Sequence, residues 1–371
     1  MRCETDVFVV GGGPAGLAAG IAACNHGFRV IVADGAEPPI TKACGEGLLP
    51  DTLAALQDLG VEFGKSEGYP LHGICFEDSS AAVRAEFPVG QGLGIRRQIL
   101  HQRMLERALN CGVHFLWNTP IVGLFQEGVV AGTDRIRARW VIGADGSRSR
   151  IRRWSGLDRI AFRGKRFAFR QHFRAKPWTD AVEIHWAEKT QAYVTPVAGD
   201  QICVAIISNR LERSNQRVGQ ALQGFPKLAR NLKEAPAASV ERGAVTGMLK
   251  LKSVYSGNVA LIGDASGGID AVTGEGLYLS FRQATALADA LAEGNLANYQ
   301  VAHSRLFRRP RLMEKLLLLM DRQSVVRERT LRAMEAAPHL FERMLAYHVG
   351  ATKGLRFVTT SALLGWRFLT A

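Results

Sequence analysis

The stretch Gly11-Gly12-Gly13-Pro14-Ala15-Gly16 has the residue types and spacing to hold a pyrophosphate. Gly11 permits a sharp turn, Gly13 lets backbone N–H groups approach the phosphates, and Gly16 lets the following helix pack on the preceding strand. That helix, expected from Pro14 to about His26, turns its positive end toward the anion. Asp34 stands about 20 residues farther on, where a carboxylate grips an adenosine ribose. An acid there, rather than Arg or Lys, points to an unphosphorylated ribose and so to FAD or NAD. The elements that must position these groups are legible. Thr5–Val10 is a strand in which all but Asp6 are β-branched or aromatic, as burial on both faces of a parallel sheet demands. Phe28–Ala33 is a second strand that ends at Asp34.

Three later segments carry further chemistry. Trp140–Arg152 runs from a strand into Gly143-Ala144-Asp145-Gly146 and delivers an Asp and a permissive Gly to the carboxyl edge of a sheet, where ligands bind in open α/β folds. Gly257–Ser266 ends a buried strand at Gly263-Asp264, a carboxylate placed to accept sugar hydroxyls. Gly274-Glu275-Gly276-Leu277 opens a helix that runs to Ala292.

These segments resemble the "GADG..S..R" and "GD" motifs of the flavoprotein monooxygenase superfamily. Over about residues 3 to 300 the chain resembles the glutathione-reductase-type FAD fold shared by flavin monooxygenases and geranylgeranyl reductases. The resemblance implies an α/β architecture (α+β overall). It has a Rossmann-like FAD-binding domain, an inserted antiparallel-sheet substrate domain and a helical C-terminal region. It implies that Asp34 meets the adenosine ribose, Arg97 the cofactor's linker, and Gly263-Asp264 the ribityl chain. Gly274, Glu275, Gly276 and Leu277 meet the flavin. Arg97-Gln98-Ile99-Leu100-His101 is similar to the family's "R..(L/F)D" helix start, with His101 in place of Asp. Lys42-Ala43-Cys44-Gly45-Glu46-Gly47 resembles the "K.CG.G" segment that the reductase branch places near the flavin. Asp264–Gly276 resembles that branch's "GDA.G..dP.tGEG", with Ala271 for Pro.

The texture of the chain sets the domain limits. Arg166–Arg174, Val182–Trp186, Gln191–Val197 and Gln201–Ile207 are strand-like runs without intervening helices, so an antiparallel sheet is expected over 161–244. It interrupts a discontinuous FAD-binding domain of residues 1–160 and 245–300, and residues 301–371 form a helical region. Pro338–Ala371 is expected to pack on the body or cap the substrate pocket, with a membrane-surface helix as the alternative. Helices are also expected at Asp51–Gly60 and Arg97–Asn110.

Composition narrows the class. The 371 residues are 47% hydrophobic and 22% charged, as in a globular protein. The 6 cysteines form no CxxC pair, which offers no metal or disulfide framework and suits a reducing cytoplasm. No signal peptide and no membrane-length apolar run is read. The net charge of +13 is spread over several arginine clusters rather than one module, which argues for anionic cofactors or lipid headgroups over nucleic acid.

Several chemistries fit these residues. The first expectation is an NAD(P)H-dependent monooxygenase that hydroxylates a hydrophobic or aromatic small molecule through a flavin hydroperoxide. The second is reduction of a C=C bond, with Cys44, Glu46 or Glu275 as the acid and Tyr193 over the flavin. Halogenation and a non-enzymatic flavin sensor are further alternatives. A second GxGxxG is absent, so the reductant is expected to dock transiently or to come from a partner. Phe167, Phe169, Phe173, Trp186 and Tyr193 are candidate pocket aromatics; a peripheral membrane or carrier-protein contact is a further expectation.

Overall fold

The computed structural model describes residues 4–158, 160–209 and 217–352. The strand Glu4–Val10 lies at the centre of the first sheet, with Val7, Phe8 and Val9 entirely buried. It pairs in parallel with Asp134–Gly143 on one side and Val30–Ala33 on the other. The sheet extends in parallel to Val259–Leu261 on one side, with Tyr255–Ser256 antiparallel at that edge, and to His114–Leu116 at the other edge. Ile121–Phe125 and Gly128–Ala131 meander onto Asp134–Gly143. The helix Pro14–Asn25 is apolar nearly all round because it is enclosed between this sheet and the helices Arg97–Asn110 and Gly276–Ala292. Its small residues allow that close approach.

The second sheet has seven strands in the order Arg242–Leu251, Ile160–Arg174, Gln201–Ser208, Thr190–Ala198, Ala181–Ala187, Gly73–Glu77 and Ala82–Glu86. It is therefore larger than the 161–244 stretch read from the sequence. Two strands come from before the parallel sheet is complete, and a third runs past residue 244. Ala181–Ala187 joins Gly73–Glu77 in parallel, so no hairpin turn announces the pairing. A three-stranded sheet of Gly47–Leu48, Gly92–Gly94 and Tyr69–Leu71 links the two halves. Gly94 makes that junction possible: a Cβ there would lie 1.7 Å from the Pro196 carbonyl oxygen.

Beyond Ala292 the helices Leu296–Leu306, Arg308–Arg322, Ser324–Ala336 and Pro338–His348 follow. Met313, Leu317, Met320, Phe341 and Leu345 pack from these helices onto Ile74, Phe76 and Ile184 of the second sheet. The helix expected from Pro338 ends at His348, and Lys353–Ala371 lies outside the described residues. No described helix is long and apolar enough to cross a membrane.

Candidate active site

The glycine turn divides its three tasks as its spacing implies. Gly11 has φ +114°, and a Cβ there would lie 2.5 Å from the Ala144 carbonyl oxygen. A Cβ on Gly16 would come within 1.8 Å of the Gly11 oxygen, so only glycine lets helix and strand touch. A Cβ on Gly13 would meet nothing, because Gly13 faces the cavity. The helix after it has no side-chain cap and no acid in its first turn, so its leading N–H groups remain for an anion. Pro14 and Ala15 line the same cavity. Asp34 accepts from the Gly12 N–H through Oδ2 (2.7 Å) and the Ala36 N–H through Oδ1 (2.9 Å), which fixes its carboxylate at the cavity edge.

The helix Arg97–Asn110 supplies two more groups. Arg97 is buried against the cavity, and its Nε has no protein partner. His101 stands 2.8 Å from the Gly12 carbonyl oxygen through Nε2, so Nε2 carries the hydrogen. Burial holds this imidazole below its ordinary pKa, against the bond to Gly12. The residue that departs from the usual Asp thus ties the phosphate turn to the helix.

At the other strand ends, Asp264 and Lys42 form a half-exposed pair at 2.6 Å, both on the cavity wall. Gly263 and Gly274 have φ of +60° and +69°. A Cβ on Gly274 or Gly276 would meet nothing. The helix Gly276–Ala292 begins there, again with no side-chain cap and no acid in its first turn, and Leu277 faces the cavity. Asp145 behaves differently from Asp264. Its carboxylate accepts from Ser149 Oγ (2.5 Å), Arg150 N–H (2.6 Å) and Ile151 N–H (3.2 Å), so it caps its own helix. Asp145 and Gly146 form wall rather than a free ligand-binding carboxylate.

The four residues offered as catalytic separate in the structure. Cys44 is half-buried on the cavity wall beside Gly45, and its Sγ accepts from the Glu46 N–H at 3.4 Å. Glu46 is buried and surrounded by donors: the Arg97 N–H at 3.0 Å, His172 Nε2 at 2.5 Å and Arg170 Nη2 at 3.8 Å. Arg170 donates to His172 Nδ1, which leaves the imidazole proton on Nε2, pointing at Glu46. Glu46 faces three donors in this arrangement. Glu46, His172 and Cys203 bring ligand-type atoms within 4.8 Å of one another. The Arg170 guanidinium already supplies the cation there.

Tyr193 presents its ring to the cavity, but its hydroxyl lies 3.0 Å from both the Val272 carbonyl and Gln191 Oε1. Burial raises its pKa. Glu275 is turned away from the cavity into a cluster with Arg309 (3.3 Å) and His348 Nδ1 (3.6 Å), where Arg309 also holds Asp51 at 2.7 Å. Burial pushes the Glu275 carboxyl up to about 8, against the pull of Arg309. His348, not Glu275, lines the cavity.

One cavity of about 800 Å³ joins these groups. It runs from Gly11 and Asp34 past Arg97, Asp264 and Gly274 to an apolar end. Ile74, Phe76, Val182 and Ile184 of the second sheet face Met313, Leu317, Phe341 and Met344 of the C-terminal helices there. Of the expected pocket aromatics, Phe169 and Tyr193 line it. Phe173 lies on the same strand face as Phe169 and Trp186 on the same face as Ile184, but both sit farther along their strands, beyond the cavity, and pack in the sheet's two cores. Phe76, Phe341, Met313 and His348 were not singled out in the sequence. They come from elements far apart in the chain, and no local pattern marks them.

The unpartnered Arg97 Nε, two uncapped helix starts and three glycines with open space beside them all face one elongated cavity, as a dinucleotide requires. The FAD binding domain family matches residues 4–295. The chain belongs to this family. It is an FAD-dependent oxidoreductase. A menaquinone reductase of Mycolicibacterium smegmatis is 25% identical over 331 residues, covering 81% of this chain and 80% of that protein. Digeranylgeranylglycerophospholipid reductase 2 of Methanosphaera stadtmanae is 26% identical over 332 residues, covering 80% and 82%. A flavoprotein/dehydrogenase structure from Cytophaga hutchinsonii superposes with TM-score 0.81 at 17% identity over 93% of each chain. In this FAD-binding protein Gly11, Gly13 and Asp34 stand at one end of the cavity, and Asp264, Gly274 and Gly276 line it farther along.

Proposed function

We propose that this oxidoreductase reduces a carbon–carbon double bond in a long, prenyl-type lipid. The observation that carries the reading is the apolar end of the cavity. Its walls are aliphatic and aromatic carbon from the second sheet and the helices Arg308–Arg322 and Pro338–His348. Such walls grip a hydrocarbon chain by area and exclude water, and they give a phenol or other polar ring little to orient it. Among the polar side chains bordering them, Tyr193 and Glu46 are bonded into the protein, and His348 turns its Nδ1 toward Glu275 at 3.6 Å. The relatives named for menaquinone and digeranylgeranylglycerophospholipid reductases support the same substrate class.

FAD, when bound, supplies the hydride, with NAD(P)H as the transient source of reducing equivalents. The chain supplies the rest. Arg97, Lys42 and the two uncapped helix starts hold negative charge in place. The apolar end aligns the chain. Cys44 Sγ carries the proton: a C–H bond forms at one alkene carbon as the S–H bond breaks, and solvent restores the thiol. Glu46 fixes the Cys44 segment against Arg97 and His172.

The test is anaerobic turnover of the reduced holoprotein with a polyprenyl lipid. A saturated bond forming without oxygen supports the reading. An oxygenated product formed only with O₂ sinks it and supports hydroxylation. Cys44→Ala is expected to keep FAD and its reduction by nicotinamide while product formation falls about a hundredfold, within the range of a lost general acid. Turnover within a few-fold of wild type removes Cys44 from the chemistry.

A further inference from the structure

The helix Arg308–Arg322 has two faces with different tasks. Its inner face carries Pro310, Met313, Glu314, Leu317 and Met320, all buried, and Met313 and Leu317 form part of the cavity wall. Its outer face carries Arg308, Leu312, Lys315, Leu319 and Arg322, all exposed. These follow one another at steps of four and three residues, so they form a single stripe. Leu312 is 37% and Leu319 42% exposed, and Val325, 59% exposed, continues the apolar surface at the start of the next helix.

The charges on this helix are sorted by side. Both of its acids are turned inward: Glu314 accepts from the Asp270 N–H at 2.5 Å, and Asp321 meets Arg166 at 3.3 Å and Gln191 at 2.7 Å. Each acid side chain is almost wholly buried. The exposed charges of the helix are therefore all positive. Single exposed leucines are ordinary on a protein surface. Leucines alternating with cations along one stripe, with the acids removed to the interior, match the chemistry of an interfacial helix.

We propose that this outer stripe docks on an anionic lipid bilayer. The leucines and Val325 enter the headgroup boundary, Arg308, Lys315 and Arg322 meet the phosphates, and the net charge of +13 draws the protein to the surface. Docking there sets the outside of the cavity wall against the membrane. The proposal does not depend on the reductase reading, since it concerns attachment rather than chemistry.

The holoprotein is sedimented with vesicles of phosphatidylcholine alone and of phosphatidylcholine mixed with phosphatidylglycerol. Wild type is expected to pellet with the mixed vesicles and to be released as salt rises. Arg308→Glu/Lys315→Glu/Arg322→Glu is expected to lower partition about a hundredfold, and Leu312→Asp/Leu319→Asp about tenfold. A charge-matched control, Arg135→Glu/Arg139→Glu/Arg153→Glu, reverses exposed cations of the parallel-sheet half and is expected to stay within about threefold of wild type. Bound FAD reports that each variant is folded. Equal losses in the two triple variants would overturn the proposal, because net charge alone would then explain the attachment. Equal binding to neutral vesicles, or no binding at low salt, also overturns it; binding of an acidic protein without any binding of vesicles assigns the stripe to another partner.

Discussion

The two ends of the cavity are built by opposite means. At the ADP end the contacts are backbone: Gly11, Gly13 and Gly16 act by lacking a side chain, and the helix start after them acts through its N–H groups. At the apolar end the contacts are side chains from the second sheet and two C-terminal helices, brought together only by the fold. Backbone chemistry demands glycine at fixed spacing and tolerates no substitution. An apolar wall demands volume and can be met by many residues. The first end is therefore narrow in the residues its geometry accepts, and the second is broad.

The sharpest way to break this contrast is at the ADP end. Gly16→Ala places a Cβ against the Gly11 oxygen at 1.8 Å, and neither backbone can yield. It is expected to cost stability beyond the usual overpacking range of about 1–3 kcal/mol and to abolish FAD retention. Gly13→Ala is the control. Gly13 has extended backbone and open space, so the variant should melt with wild type and lose FAD affinity alone. If both variants melt alike, the separation of packing from ligand approach is wrong. At the apolar end, Phe341→Ala removes a ring packed on Phe76 at a centroid distance of 4.6 Å. The expected cost is about 3 kcal/mol, measured by denaturant unfolding, with FAD affinity unchanged. A parallel loss of FAD would join two ends that the structure keeps apart. Asp264→Ala is smaller: about tenfold in FAD affinity by fluorescence titration, or about 1.4 kcal/mol. Its half-exposed pairing with Lys42 contributes little to stability, so the melting temperature should hold.

The same contrast explains what the sequence disclosed. Strand, turn, helix and acid are adjacent in the chain, so Gly11–Gly16 and Asp34 could be placed before any fold was known. Gly274–Leu277 was legible for the same reason. The seven-stranded sheet was visible only where its strands follow one another; the antiparallel pair Gly73–Glu77 and Ala82–Glu86 is attached to it by the parallel pairing of Gly73–Glu77 with Ala181–Ala187, more than a hundred residues on, which leaves no local mark. Charge roles were the least legible. Asp145 and Asp264 look alike as strand-end acids and both line the cavity, yet the first has its carboxylate taken up by Ser149 and the backbone N–H groups of Arg150 and Ile151, and the second pairs with Lys42. Glu275 follows a glycine that lines the cavity, but its side chain points to Arg309 and His348.

Glu275 offers the smallest effect and tests the wall behind the flavin segment. The titratable groups around it are Asp51, Arg309 and His348, with the Tyr278 ring against Arg309. Burial raises the Glu275 carboxyl from 4.5 to about 8, and Asp51 is raised in the same sense. A folded pKa above the unfolded one means that the native state binds the proton more tightly. The stabilisation is fully present below the unfolded value and is lost as pH rises through about 8. Glutamine copies the protonated acid and cannot ionise. Glu275→Gln should therefore match wild type near pH 5 and exceed it near pH 9, by melting temperature, while Asp51 leaves a residual slope in both. FAD affinity should not change, because the side chain lies off the cavity. Parallel curves across that range would show that Glu275 is already ionised at neutral pH, and the Arg309 cluster would then be an ordinary buried ion pair.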